Sequence, residues 1–384
     1  TDGLVELGGN AISVGGLGLA ANGELTNTGS TETFTIAATS APSTLAGLIS
    51  GNLNMVYGNN GSPRTYTITN AGSSYTGTSS INGNSHVVVT SDVLLNTNSP
   101  LGNSSQNINL GSSGNTASAS LLTNGAIEIA RNIVLGAKTN AATTQTLGAA
   151  ASQVGDSEFS GTITVGTASQ AHLTVTAPTN VVVSFTGDII ESGSAGNGNL
   201  SKIGAGTVLL GGDNSYAGST TVTDGTLLVN GTHTGGGAYT VDPIGTLGGT
   251  GSTTSSVTVN GTLAPGNSID SLTVGSTTIN DDGVLAIELG AGISDLLDVQ
   301  GDLTLASGAL LSLLGTADGV TNYTIATYTG TLSGVFDNPA VPAGYTLDYG
   351  TGANSAITLV IPEPGTLALA AAGGLLILAR RRTA

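Results

Sequence analysis

Cysteine and tryptophan are both absent from this chain of 384 residues. Disulfide staples, thiolate metal sites and thiol nucleophiles are thereby excluded. Charge is scarce too, at 8% of residues against a usual ~25%, which rules out a conventional charged-surface globule. Basic residues are the scarcest of all, 7 against 24 acidic, for a formal net charge of −17. Three of them are Arg380, Arg381 and Arg382, so the body holds only Arg64, Arg131, Lys138 and Lys202. An acidic body of this kind does not attract nucleic acid or anionic lipid.

What is present is glycine, 60 residues of it, with abundant Ser, Thr and Asn and 39% apolar content. That apolar content is enough to offset chain entropy, so disorder is a poor reading. Short apolar runs alternate with Asn-Gly, Asp-Gly and Gly-Gly turns and no segment keeps a helical period, which points to an all-β chain. The beat is clear at Leu227–Val229 before Asn230-Gly231, and at Val257 and Val259 before Asn260-Gly261.

Internal repetition chooses among all-β folds. An aromatic-x-Gly-x-x-x-Val/Ile pattern occurs at Tyr75, Gly77 and Ile81, at Phe159, Gly161 and Val165, and at Tyr216, Gly218 and Val222, with a looser copy at Tyr328, Gly330 and Val335. Irregularly spaced copies of one unit predict a parallel β-helix, a β-solenoid whose aliphatic side chains stack from coil to coil. Thr and Ser then face outward and Gly and Asn occupy the corners. The repeating aromatics read as corner fillers rather than ligand platforms. Low charge follows from that architecture, and its two ends carry strand edges that need capping.

Residues 200–231, LSKIGAGTVLLGGDNSYAGSTTVTDGTLLVNG, resemble the autotransporter-associated β-strand repeat of exported bacterial passenger proteins. The resemblance is carried by Lys202, by Gly204-Ala205-Gly206-Thr207, by Asn214-Ser215-Tyr216-x-Gly218 and by Gly225-Thr226-Leu227-Leu228-Val229. Gly261 to Ser268 is similar to the segment that follows such repeats. It implies a right-handed parallel β-helix presented outside the cell.

The end of the chain resembles a PEP-CTERM sorting signal: Pro362-Glu363-Pro364, the apolar run Gly365 to Ala379, then Arg380-Arg381-Arg382. Two prolines keep the junction extended and open to a processing enzyme. A short transmembrane helix over the apolar run, with the arginines held on the cytoplasmic side, follows physically. The resemblance implies export, a transient inner-membrane anchor, and cleavage by an exosortase-type membrane protease. The expected organisation is a degenerate solenoid over 1–199, a solenoid with the passenger repeat over 200–360, and the sorting signal over 361–384. No leader is visible ahead of Thr1, so a removed signal peptide and a fragment of a longer chain both fit.

Catalytic chemistry is poorly supplied. Polyuronate lyases need clustered cations, and glycoside hydrolysis needs two carboxylates ~5–9 Å apart, usually beside aromatic platforms. Asp281-Asp282 and Asp295 with Asp298 are the acidic clusters. The first reads as a turn before Gly283, the second as a strand end or turn cap. His86, His172 and His233 lie far apart in sequence and read as exposed strand positions. Neither the calcium nonapeptide nor EF-hand spacing occurs, which leaves at most weak surface calcium binding by the four aspartates. No catalytic residue, resident metal or cofactor is expected. The expected role is a non-enzymatic cell-surface or matrix protein of a Gram-negative-type bacterium, with exopolysaccharide or other surface proteins as partners. A carbohydrate-active or polysaccharide-binding β-helix, whether adhesin or glycosidase-like, is the rival.

Overall fold

The computed structural model describes residues 3–15, 17–37, 43–111, 117–136, 143–166, 171–193, 198–337, 339–352 and 355–362. Strands of two to six residues dominate, and they stack in three columns around one hydrophobic interior. One turn runs from Ile163–Val165 in column one to Ala171–Thr176 in column two and Val182–Phe185 in column three. It re-enters column one at Ile189–Glu191, with Ile163 in register with Ile189. Every pairing along the columns is parallel until the last coil, where Ser355–Val360 pairs antiparallel with Tyr323–Tyr328 and with Thr346–Asp348. The fold is therefore a parallel β-solenoid. A dozen or more turns at ~4.8 Å each give an axis on the order of 60 Å.

Alternation along each strand sets what is inside. In column three, Val183, Val208, Leu227, Leu247, Leu263 and Leu285 stand in register on successive coils, all buried. Each contributes roughly 1.5–3 kcal/mol by leaving water. Phe159 and Phe185 add a stacked pair at 4.9 Å between ring centroids.

Glycine decides the corners. At the bend from column three to column one, a Cβ on Gly187 would lie 2.3 Å from the Gly161 carbonyl, one on Gly231 2.1 Å from that of Gly212, and one on Gly251 2.0 Å from that of Gly231. The bends stack so closely that no side chain fits.

The solenoid starts at the first described strand, Leu4–Glu6, so the part before residue 50, recognisable in sequence only by composition, belongs to the same body. The expected boundary at 199/200 falls inside the strand Gly198–Ile203, which pairs on both sides. Pro362 follows the last strand. Glu363, Pro364, the apolar run and Arg380, Arg381 and Arg382 lie outside the described residues. Among the described residues, no helix is long and apolar enough to cross a membrane.

Candidate functional site

The repeat aromatics stand at more than one corner of the coil. Gly77 and Gly161 immediately precede column one, stacked on the carbonyls of Leu53 and Arg131; Gly218 precedes column two, stacked on Gly198. Tyr75, Phe159 and Tyr216 are all buried. Gly225, in left-handed geometry at φ 64°, opens the column-three strand Gly225–Val229.

Two buried cations have roles that the sequence reading did not assign. Lys202 points inward where Val175 and Val222 stand on the flanking coils. Its Nζ donates to three backbone carbonyls: Ile203 at 3.2 Å, Gly204 at 2.6 Å and Asp224 at 2.8 Å. Burial pushes its pKa down to about 8, with Asp224 opposing. Arg131, also fully buried, donates Nε and Nη2 to the Gln106 carbonyl at 3.0 and 2.7 Å, and Nη1 to the Leu101 carbonyl. Its Nη1 further reaches Ser79 Oγ at 3.4 Å, itself 2.8 Å from the Tyr75 hydroxyl. These cations tie neighbouring coils together through main-chain oxygens, so they are structural and not available to a substrate.

His233 is the correction among the histidines. It is buried, not exposed, and stacks on Tyr216 at 4.2 Å between centroids. The Tyr216 carbonyl can only accept, so Nε2 carries the proton and donates to it at 2.7 Å. Nδ1 then accepts from the Tyr239 hydroxyl at 2.8 Å. Burial lowers the His233 pKa, and that of Tyr239 is raised well above its ordinary value by the same desolvation. His86 and His172 are half-buried on outward positions, with His86 Nδ1 2.7 Å from Ser120 Oγ.

Among the aspartates, Asp281-Asp282 forms the expected turn, closed by Gly283 N–H donating to Asn280 O at 3.0 Å. Asp295 is buried and accepts from the N–H groups of Asp270 and Glu288, and burial raises its pKa. Asp298 lies within the strand Leu296–Val299 and accepts from Thr327 and Gln300 side chains. Asp295 thus staples a corner, and Asp298 ties adjacent coils within column one. A shallow groove of about 350 Å³ gathers four other acids, Asp92, Glu128, Asp156 and Glu158, on adjacent coils. Asp92 and Asp156 each accept a backbone N–H of the next coil, and Glu128 and Glu158 accept from Ser160 and Thr186 hydroxyls. No aromatic side chain lines it. Among the described residues, no group of three or more His, Asp or Glu side chains is placed to hold a metal ion.

The outer face of column two is different in kind. Ser120, Thr146, Thr174, Ser201, Thr221, Thr240, Thr258, Thr278, Thr304 and Ser333 stand in register, one per coil, with Ser120 and Thr174 buried. This file of hydroxyls contains no charge over ten coils, in a chain whose net charge is −17. The signal is legible in sequence as the middle residue of runs such as Val257-Thr258-Val259, but its continuity needs the register.

A model of the passenger-associated-transport-repeat matches residues 200–229. The chain carries a passenger repeat. The match runs from the column-two strand that holds Lys202 to the end of the column-three strand Gly225–Val229, about one and a half coils. In the adhesin BmaC autotransporter of Brucella suis biovar 1 (strain 1330), 164 residues are 38% identical, covering 36% of this chain and 4% of that protein. The chain thus spans a small fraction of the length of the relative it matches.

Proposed function

We propose that the protein is an exported, non-enzymatic β-solenoid of the cell surface or extracellular matrix of a Gram-negative-type bacterium, with an adhesive role. Its coils take the right-handed sense of nearly all parallel crossovers. The observation that carries the reading is the passenger repeat set within a continuous parallel solenoid. Acidic groups on the body repel anionic partners, whereas the uncharged column-two face suits neutral polysaccharide through many weak hydrogen bonds. In this reading Pro362, Glu363 and Pro364 are the processing motif, and Arg380, Arg381 and Arg382 orient a transient inner-membrane anchor that an exosortase-type protease removes.

The test is to express the tagged full-length gene in its native host, fractionate the cells and sequence the mature C-terminus. Surface or medium localisation with cleavage near Pro362 to Pro364 is expected. Protein confined to the cytoplasm overturns export, and an intact tail in cells with an active exosortase overturns the sorting step alone.

A second reading, a carbohydrate-active β-helix, draws on the groove of Asp92, Glu128, Asp156 and Glu158. Glycan hydrolysis that is lost in Glu128→Gln and Glu158→Gln would establish it.

A further inference from the structure

The C-terminal end of column three is left open. The strand Leu310–Gly315 pairs on one side with Val284–Leu289, and among the described residues no strand pairs with its other side. Leu310 and Thr316 donate their N–H groups inward, to Gly283 and Leu289. By strand alternation, the N–H and C=O groups of Leu311 and Leu313 point outward. Asp337 crosses over at Ala309 and bounds the open stretch at its start. Leu313, an inward-facing position, is only half-buried, and Leu310 and Leu314 are 36% and 53% exposed. The edge has none of the charges, prolines or bulges that usually block pairing.

Two properties indicate what covers it. The strand reads Leu310-Leu311-Ser312-Leu313-Leu314, which is the same in both directions. An antiparallel second copy, related by a two-fold axis through Ser312, sets Leu311 opposite Leu313 of that copy as a doubly hydrogen-bonded pair. Leu310 then faces Leu314 on the outer side, and the inward leucines continue the core across the junction. Charge is the second property: from Leu303 to Ala317 there is no ionisable side chain, so two acidic bodies meet where neither is acidic.

We propose that this edge is a self-association site at which two copies join end to end through Leu310–Leu314, making one continuous column-three sheet. The inference is independent of how the protein is sorted. A strand of this length buries a few hundred Å² per copy, less than the ~800 Å² of a stable dimer, so association is weak and reversible, with Kd on the order of 10–100 μM.

The chain has no cysteine, which makes a site-specific test direct. In the proposed register two Ser312 residues form a non-hydrogen-bonded pair with Cα atoms ~4.5 Å apart, within disulfide range. Purified full-length Ser312→Cys should cross-link under mild oxidation at least ~10-fold faster than Thr278→Cys on the column-two face, and Leu314→Lys should weaken dimerisation in sedimentation by at least ~10-fold. All three substituted side chains lie on the outer face of their strands, so folding can be verified by circular dichroism. Equal cross-linking at the two positions, or a monomer at ~200 μM, overturns the proposal. An edge covered by residues beyond Pro362 or by another protein would leave Ser312→Cys monomeric and count as that second result.

Discussion

Replacing Lys202 by methionine tests how a buried cation is held without a carboxylate partner. Methionine keeps the length and volume and fits between Val175 and Val222, but it leaves the carbonyls of Ile203, Gly204 and Asp224 without their donor. Because burial lowers the amine from its ordinary 10.5 to about 8, the folded state binds this proton less well than the unfolded state does. The sign follows: the penalty is complete below about 8, fades as pH rises, and vanishes above 10.5, where the amine is neutral in both states. At pH 7 it amounts to roughly 3 kcal/mol, close to what the three lost hydrogen bonds contribute, so the variant should be near wild-type stability there. Between pH 7 and 9.5 the wild type should gain about 2 kcal/mol over Lys202→Met. Raised tyrosine pKa values affect both proteins alike and cancel in the difference. Guanidinium unfolding at several pH values measures it globally, and hydrogen exchange over residues 198–229 reads it locally, where a solenoid's coil-by-coil stability is felt. A stability difference that does not change with pH would mean that the amine titrates as if solvated, and the argument fails.

Other expectations rest on the same geometry. His233 is lowered below its ordinary 6.5, so its contribution is complete above pH 6.5 and is lost as pH falls below it; His233→Gln should flatten that acid limb, and NMR titration of the imidazole should show a depressed midpoint. Gly231→Ala places a Cβ 2.1 Å from a backbone carbonyl and should destabilise by about 2–4 kcal/mol, whereas Gly3→Ala, with nothing within 4 Å, should change thermal stability by less than about 0.5 kcal/mol. Arg131→Met strips the carbonyls of Gln106 and Leu101 of their donor and should cost about 2–4 kcal/mol in chemical unfolding.

The fold class was legible because strand alternation and turn chemistry are local. Leu227-x-Val229 and Asn230-Gly231 announce a short strand and a bend wherever they sit. Even the buried cations and His233 left a trace: Lys202 shares the inward parity of Leu200, Arg131 that of Ile129 and Ile133, and His233 that of Val229. Reading them as scattered or exposed gave the residue type more weight than the parity. The aromatic-x-Gly copies misled in a different way. Tyr75 and Tyr216 both stand in a Ser-Tyr-x-Gly stretch yet occupy different corners, because loops of unequal length shift the phase of one coil against the next.

The sequence by itself determined the strands, their inward faces, the tight bends and the concentration of positive charge at the C-terminus, since each depends on residues a few positions apart. Only the tertiary structure decided which coil lies on which. That register aligned ten hydroxyls into one uncharged file, drew four carboxylates into a groove, and left Leu310–Gly315 without a neighbour. These features depend on contacts between residues eighteen or more positions apart, and those separations vary with every loop.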